Sequence, residues 1–92
     1  MPDISDIKTK RKEAYRYIKN TLYQPPWNIP LDISDIKLAD ILGGTIELTD
    51  SLRLLREGKH NPTKRLITAF RRFVEGFVTD SDVDTHLVDP FN

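Results

Sequence analysis

NPTKRLITAFRRFVEGF, residues 61 to 77, decides the fold. Leu66, Ile67, Phe70, Phe73, Val74 and Phe77 recur at steps of three and four, which places them on one arc of an α-helix, while Lys64, Arg65, Thr68, Arg71, Arg72 and Glu75 fill the other arc. Asn61 reads as the N-cap and Pro62 as the first helical residue, where a missing amide hydrogen costs nothing. A helix with three phenylalanines on its apolar side is expected to be the main wall of a core. Phe70, Phe73 and Phe77 are read as packing rather than as a cofactor box.

Upstream, Gly58 marks the end of another helix, which Thr49 or Asp50 can cap and which turns Leu52 and Leu55 inward. TIELTD, residues 45 to 50, reads as a connector with some strand alternation. A short helix from Ser34 to about Leu42 is expected to bury Ile36, Leu38, Ala39 and Leu42, with Gly43 and Gly44 stopping it. Residues 24 to 33, QPPWNIPLDI, cannot continue a helix because Pro25 and Pro26 lack amide donors. Trp27 in that connector is expected to lid one end of the core. Before it, Ile7, Ala14, Tyr15, Ile18 and Leu22 line one side of a helix spanning 5 to 23. Arg11 falls within that stripe, and its stem is expected to lie on the core with its head reaching water or an acid. The hexapeptide DISDIK occurs at 3 to 8 and at 32 to 37, and the similarity ends there. Both copies read as helix starts, with Ser5 and Ser34 as N-caps and the neighbouring aspartates at the positive end of the helix dipole.

The chain of 92 residues is sized for one domain, so an all-α bundle of about four helices is expected, with core residues Ile18, Leu22, Leu38, Leu42, Leu52, Leu55, Ile67, Phe70, Val74 and Phe77. The acidic tail, residues 79 to 92, has weak periodicity and reads as irregular. Without cysteine there is no disulfide or thiolate metal site. No stretch has signal-peptide or membrane-span character, which leads to the expectation of a cytoplasmic protein with no membrane contact. Asn61-Pro62-Thr63 fails as a glycosylation acceptor because of its central proline.

No motif for catalysis is present, and no enzyme activity, metal or cofactor is expected. Asp80, Asp82 and Asp84 imitate the start of a calcium loop, but Thr85 replaces the turn glycine and Phe91 the bidentate glutamate. His60 and His86 lack partners at metal-binding spacing. Charge is the stronger signal. Formal net charge is zero, yet from Arg53 to Arg72 seven bases face one acid, Glu57, and from Lys8 to Lys19 six bases face Glu13. Such segregation fits a phosphate-facing surface, and it also fits a chain that folds its acidic tail over its basic helices.

LADILG at 38 to 43, followed by LRLLREGKHNPTKRLITAF at 52 to 70, resembles the helix-turn-helix family of phage-repressor type. Leu38, Ala39, Leu42, Gly43, Leu52, Leu55, Gly58, Lys59, Pro62, Thr63, Ile67, Phe70 and Val74 match its pattern, over residues 34 to 78. The segment from Gly43 to Gly58 is longer than is usual there, and Glu47 and Asp50 stand where base-reading residues begin, where acids repel phosphates. The resemblance implies a DNA-binding transcriptional regulator whose third helix enters the major groove. Thr49, Ser51 and Arg53 would then meet bases, while Arg56, Lys59, Asn61, Thr63, Lys64 and Arg65 would meet phosphates. Duplex DNA is the implied partner, and a homodimer is expected because one module of this size seldom gives strong specificity. The rival class is a protein-binding module, such as an antitoxin, immunity protein or inhibitor, that docks an acidic partner through its basic helices.

Overall fold

The computed structural model describes residues 4 to 92, which form five α-helices and one 3₁₀ turn, with no strand among the described residues. The first helix, α1, is Ile4–Tyr23. Ser5 therefore lies inside its first turn instead of capping it, and Asp3 of the first DISDIK copy lies outside the described residues. Ala14, Ile18 and Leu22, four apart, are fully buried along α1. After Tyr23 the prolines turn the chain, and the connector is pinned back on α1 where Ile29 N–H donates to the Leu22 carbonyl at 2.8 Å. Trp27 closes this end as expected, its ring lying 6.1 Å from that of Phe73 and 5.2 Å from that of Phe77.

Helix α2 is Asp35–Leu42, and Ser34 caps it by accepting the Lys37 amide. Leu38, Ala39 and Leu42 are buried, whereas Ile36 is 70 % exposed. The expectation for Ile36 fails because Leu38, Ala39 and Leu42 already define the inward arc, and Ile36 stands about 200° round the helix from Leu38. Helix α3 is Ile46–Arg56, which starts earlier than expected. Thr45 is the cap, its hydroxyl accepting the Leu48 amide, so IELT belongs to the helix and Leu48 reaches the core. The alternation of this segment suggested a connector with some strand character, and burial of Leu48 overrides that preference.

Helix α4 is Lys64–Phe73. Its cap is Thr63, with the hydroxyl accepting the Leu66 amide, so Pro62 precedes the cap and Asn61 lies outside the capping position expected of it. The helix also ends earlier than its periodicity suggests. Val74 terminates it and Gly76 follows at φ 86°, which turns the chain and leaves Phe77 65 % exposed against the edge of Trp27. Phe77 is thus not a core residue, and Ile67 is only partly buried, while the other expected core residues are buried.

The largest correction is the acidic tail. Asp80–Leu87 forms α5, capped by Thr79, and Asp89–Phe91 adds the 3₁₀ turn. Val83 and Leu87 are each 1 % exposed, and burying each contributes about 1.5–3 kcal/mol. Two apolar residues four apart suffice because α1 and α4 supply the rest of the contact surface. Arg71 of α4 pairs with Asp80 at 3.2 Å and also with Asp84, so part of the acidic segment does fold onto a basic helix.

Candidate functional site

Between α2 and α3 only Gly43, Gly44 and Thr45 intervene. The Gly43 and Gly44 amides both donate to the Ala39 carbonyl, Gly44 takes φ 71°, and a Cβ on Gly43 would stand 3.0 Å from Leu48 Cδ1. The two glycines thus let the helices meet in a tight corner. Leu38, Ala39 and Leu42 on one side and Leu48, Leu52 and Leu55 on the other lock the corner into the core. The opposite side of α3 is left on the surface, where Ile46, Glu47, Asp50 and Arg53 are exposed along one line of the helix.

Of the three residues expected to meet bases, only Arg53 lies on that line. Thr49 is half-buried and faces the groove lined by Ile33 and Ile36. Ser51 is half-buried on the other flank, accepting a hydrogen bond from the Thr63 hydroxyl at 3.2 Å. Arg53 alone is exposed, held by Glu57 at 3.1 Å and Asp50 at 3.7 Å.

The residues expected to meet phosphates gather around the α3–α4 joint, and most are engaged within the fold. Arg56 Nε lies 2.9 Å from Asp35, Lys59 is 3.7 Å from Glu57, and Arg65 pairs with Glu47. Asn61 accepts from Arg11 Nε at 2.8 Å, and Thr63 is occupied as the α4 cap. Arg11 also donates to the Gly58 carbonyl at 3.1 Å, so its head finds the joint and not an acid. Lys64, at the start of α4, is exposed and makes no ion pair among the described residues.

Asp35 is the centre of a small network. It accepts from the Tyr15 hydroxyl at 2.7 Å and from Arg56, with only 12 % of its side chain exposed. Burial, then the Asp35 hydrogen bond, pushes the Tyr15 hydroxyl above the ordinary phenol range, and the Asp35 bond likewise raises Arg56. This network joins α1, α2 and the end of α3.

The bases of α1 behave differently. None of Lys8, Lys10, Arg11, Lys12, Arg16 and Lys19 makes an ion pair among the described residues, whereas five of the eight bases outside α1 do. Sequence reasoning marked the segment as basic but placed no site there; the readable signal was Lys8, Lys12 and Arg16 at four-residue steps. Among the described residues no helix is long and apolar enough to cross a membrane. Comparison of the chain with protein-family models, curated proteins and solved structures gives no match.

Proposed function

We propose that this chain is a small DNA-binding regulator of helix-turn-helix type, with α3 as the helix that enters the major groove. One observation carries the reading: two helices joined by a three-residue, glycine-containing corner, with the second helix fixed in the core by its inner side and exposed on its outer side, where Glu47, Asp50 and Arg53 lie in surface ion pairs. The outer line of α3 offers chemistry suited to base edges. Ile46, 82 % exposed in the first turn, can meet a thymine methyl, Glu47 and Asp50 can accept from cytosine N4, and Arg53 can donate to guanine. This set replaces Thr49 and Ser51, which sit on the flanks. Lys64 at the next helix start is placed for a phosphate.

The test is duplex binding followed by fluorescence anisotropy across a salt series, joined to selection from a randomised duplex pool. Expected is a linear fall of log K with log salt and enrichment of a short site. Arg53→Ala should reduce discrimination by about 1–3 kcal/mol while leaving non-specific binding nearly intact. Absence of duplex binding even at the lowest ionic strength, where surface charges are least screened, would falsify the proposal. A second reading, a module docking an acidic protein, is favoured by the bases of α1, which make no ion pair among the described residues. It predicts one salt-sensitive protein complex and no duplex binding.

A further inference from the structure

We infer that Lys8, Lys12 and Arg16 form a ridge on α1 that grips the phosphodiester backbone of duplex DNA, separately from the groove-facing side of α3. The inference rests on the DNA-binding reading and names which part of the molecule supplies the phosphate contacts. At about 1.5 Å rise per residue, four-residue steps put these three charges on a line about 12 Å long. A single DNA strand presents one phosphate per about 3.4 Å of axis, so such a line spans several phosphates.

Four observations converge on this ridge. The three bases make no ion pair among the described residues, even though Glu13 is only three positions before Arg16. Like charges at four-residue spacing repel along a helix, so the arrangement works against α1, and no ion pair among the described residues offsets it. Lys19, next on the same side, is instead committed internally, donating to the Ile33 carbonyl at 2.8 Å, which ends the ridge at Arg16. Finally, the acidic α5 does not cover it: Lys8, Lys12 and Arg16 are all exposed, and His86 of α5 stacks on Tyr17 at 4.0 Å, half a turn round α1 from Lys8.

The ridge is continuous with the basic joint. Arg11 clasps Gly58 and Asn61, and the α1 backbone runs so close that a Cβ on Gly58 would lie 3.3 Å from the Lys8 carbonyl oxygen. Exposed Lys59 and His60 therefore sit beside the N-terminal half of the ridge.

The experiment compares the full chain with Lys8→Gln/Lys12→Gln/Arg16→Gln and with Lys37→Gln, an unpaired base on α2, using a duplex of about 20 base pairs and mixed sequence, with anisotropy over a salt series. Removing one phosphate-neutralising base should lower the slope of log K against log salt by about 0.9, so the triple variant should lose most of the ridge's share and Lys37→Gln nearly none. Circular dichroism should show α1 intact, and the single variant Lys12→Gln, with a slope reduced by about 0.9, serves should the triple misfold. Wild-type binding with an unchanged slope in the ridge variants overturns the ridge and leaves the α3 reading standing. Equal reductions for Lys37→Gln and Lys12→Gln also overturn it, since they mean a diffuse field. No wild-type binding at any salt overturns the DNA reading and the ridge together.

Discussion

The joint between α3 and α4 and the outer side of α1 are the two basic regions of this molecule, and they use the same residue types to opposite ends. At the joint, Arg56 reaches Asp35, Arg65 reaches Glu47, and Lys59 reaches Glu57. Arg56 and Arg65 thereby tie one helix to another, while Lys59 pairs locally. Along α1, Lys8, Lys12 and Arg16 face one another and solvent. Exposed ion pairs are worth about 0–1 kcal/mol each, so pairing is no great gain in stability, but it does remove local field. What distinguishes a structural base from an available one is the set of acids that tertiary contacts bring to it.

The largest effect should come from separating the two regions. Phe70 of α4 is fully buried and meets the Tyr17 ring of α1 edge-on at 5.8 Å. Phe70→Ala should cost about 3–5 kcal/mol, a large part of the stability of so small a domain, read as a fall in the urea midpoint. A fall under about 1 kcal/mol would mean that the α1–α4 contact is misplaced.

Next is Gly58, where the joint touches α1. It holds φ 74°, and a Cβ there would come within 2.5 Å of Lys8 Cγ. Gly58→Ala should cost more than the roughly 1–2 kcal/mol of the left-handed conformation alone, because Lys8 must also move. Pairing it with Lys8→Ala should recover the steric share and leave the conformational one, which a double-mutant cycle measures.

Arg56→Ala tests whether joint charges are structural. It leaves the mostly buried Asp35 with Tyr15 as its remaining side-chain partner, and the expected destabilisation is about 1–2 kcal/mol, between a surface pair and a desolvated one. The pH arm has a definite sign. Since the Tyr15 pKa is raised in the fold, its contribution is complete below the ordinary phenol range and is lost as pH rises through and beyond that range. Tyr15→Phe should flatten this alkaline loss; an unchanged profile would remove Tyr15 from the network.

The contrast also explains what could be read from sequence. Ser34, Gly43, Gly44 and Gly58 act locally, through caps and positive φ, and each stands where the sequence placed it. The Leu66, Phe70 and Val74 arc was legible because helical periodicity is a local property. Phe77 continued that period on paper, yet Gly76 breaks the geometry that would have carried it inward. Helix α5 was missed because Val83 and Leu87 are its only deeply buried residues, although Thr79 three positions before Asp82 is a readable capping signal. The long-range ion pairs at the joint were not legible: Asp35 lies 21 residues from Arg56, and no local charge window contains both. The ridge on α1 needed only the four-residue spacing of Lys8, Lys12 and Arg16.

The smallest predicted effect separates the regions most sharply. Lys12→Glu removes two like-charge neighbours, Lys8 and Arg16, and gives each an opposite charge four residues away. The pairing of an acid with a base four residues toward the C-terminus is the favourable orientation, so most of the gain should come from Arg16. At about 0.2–0.5 kcal/mol per pair, α1 should become slightly more stable, measurable as a raised thermal midpoint at low salt that fades as salt is added. If the ridge binds phosphate, duplex affinity should fall at the same time, because an attraction is replaced by a repulsion. Any base held mainly for the fold must show the reverse, as Arg56→Ala should. If Lys12→Glu lowers stability, α1 carries an ion pair that the arrangement of its side chains does not contain, and the division between structural and available bases fails at its clearest point.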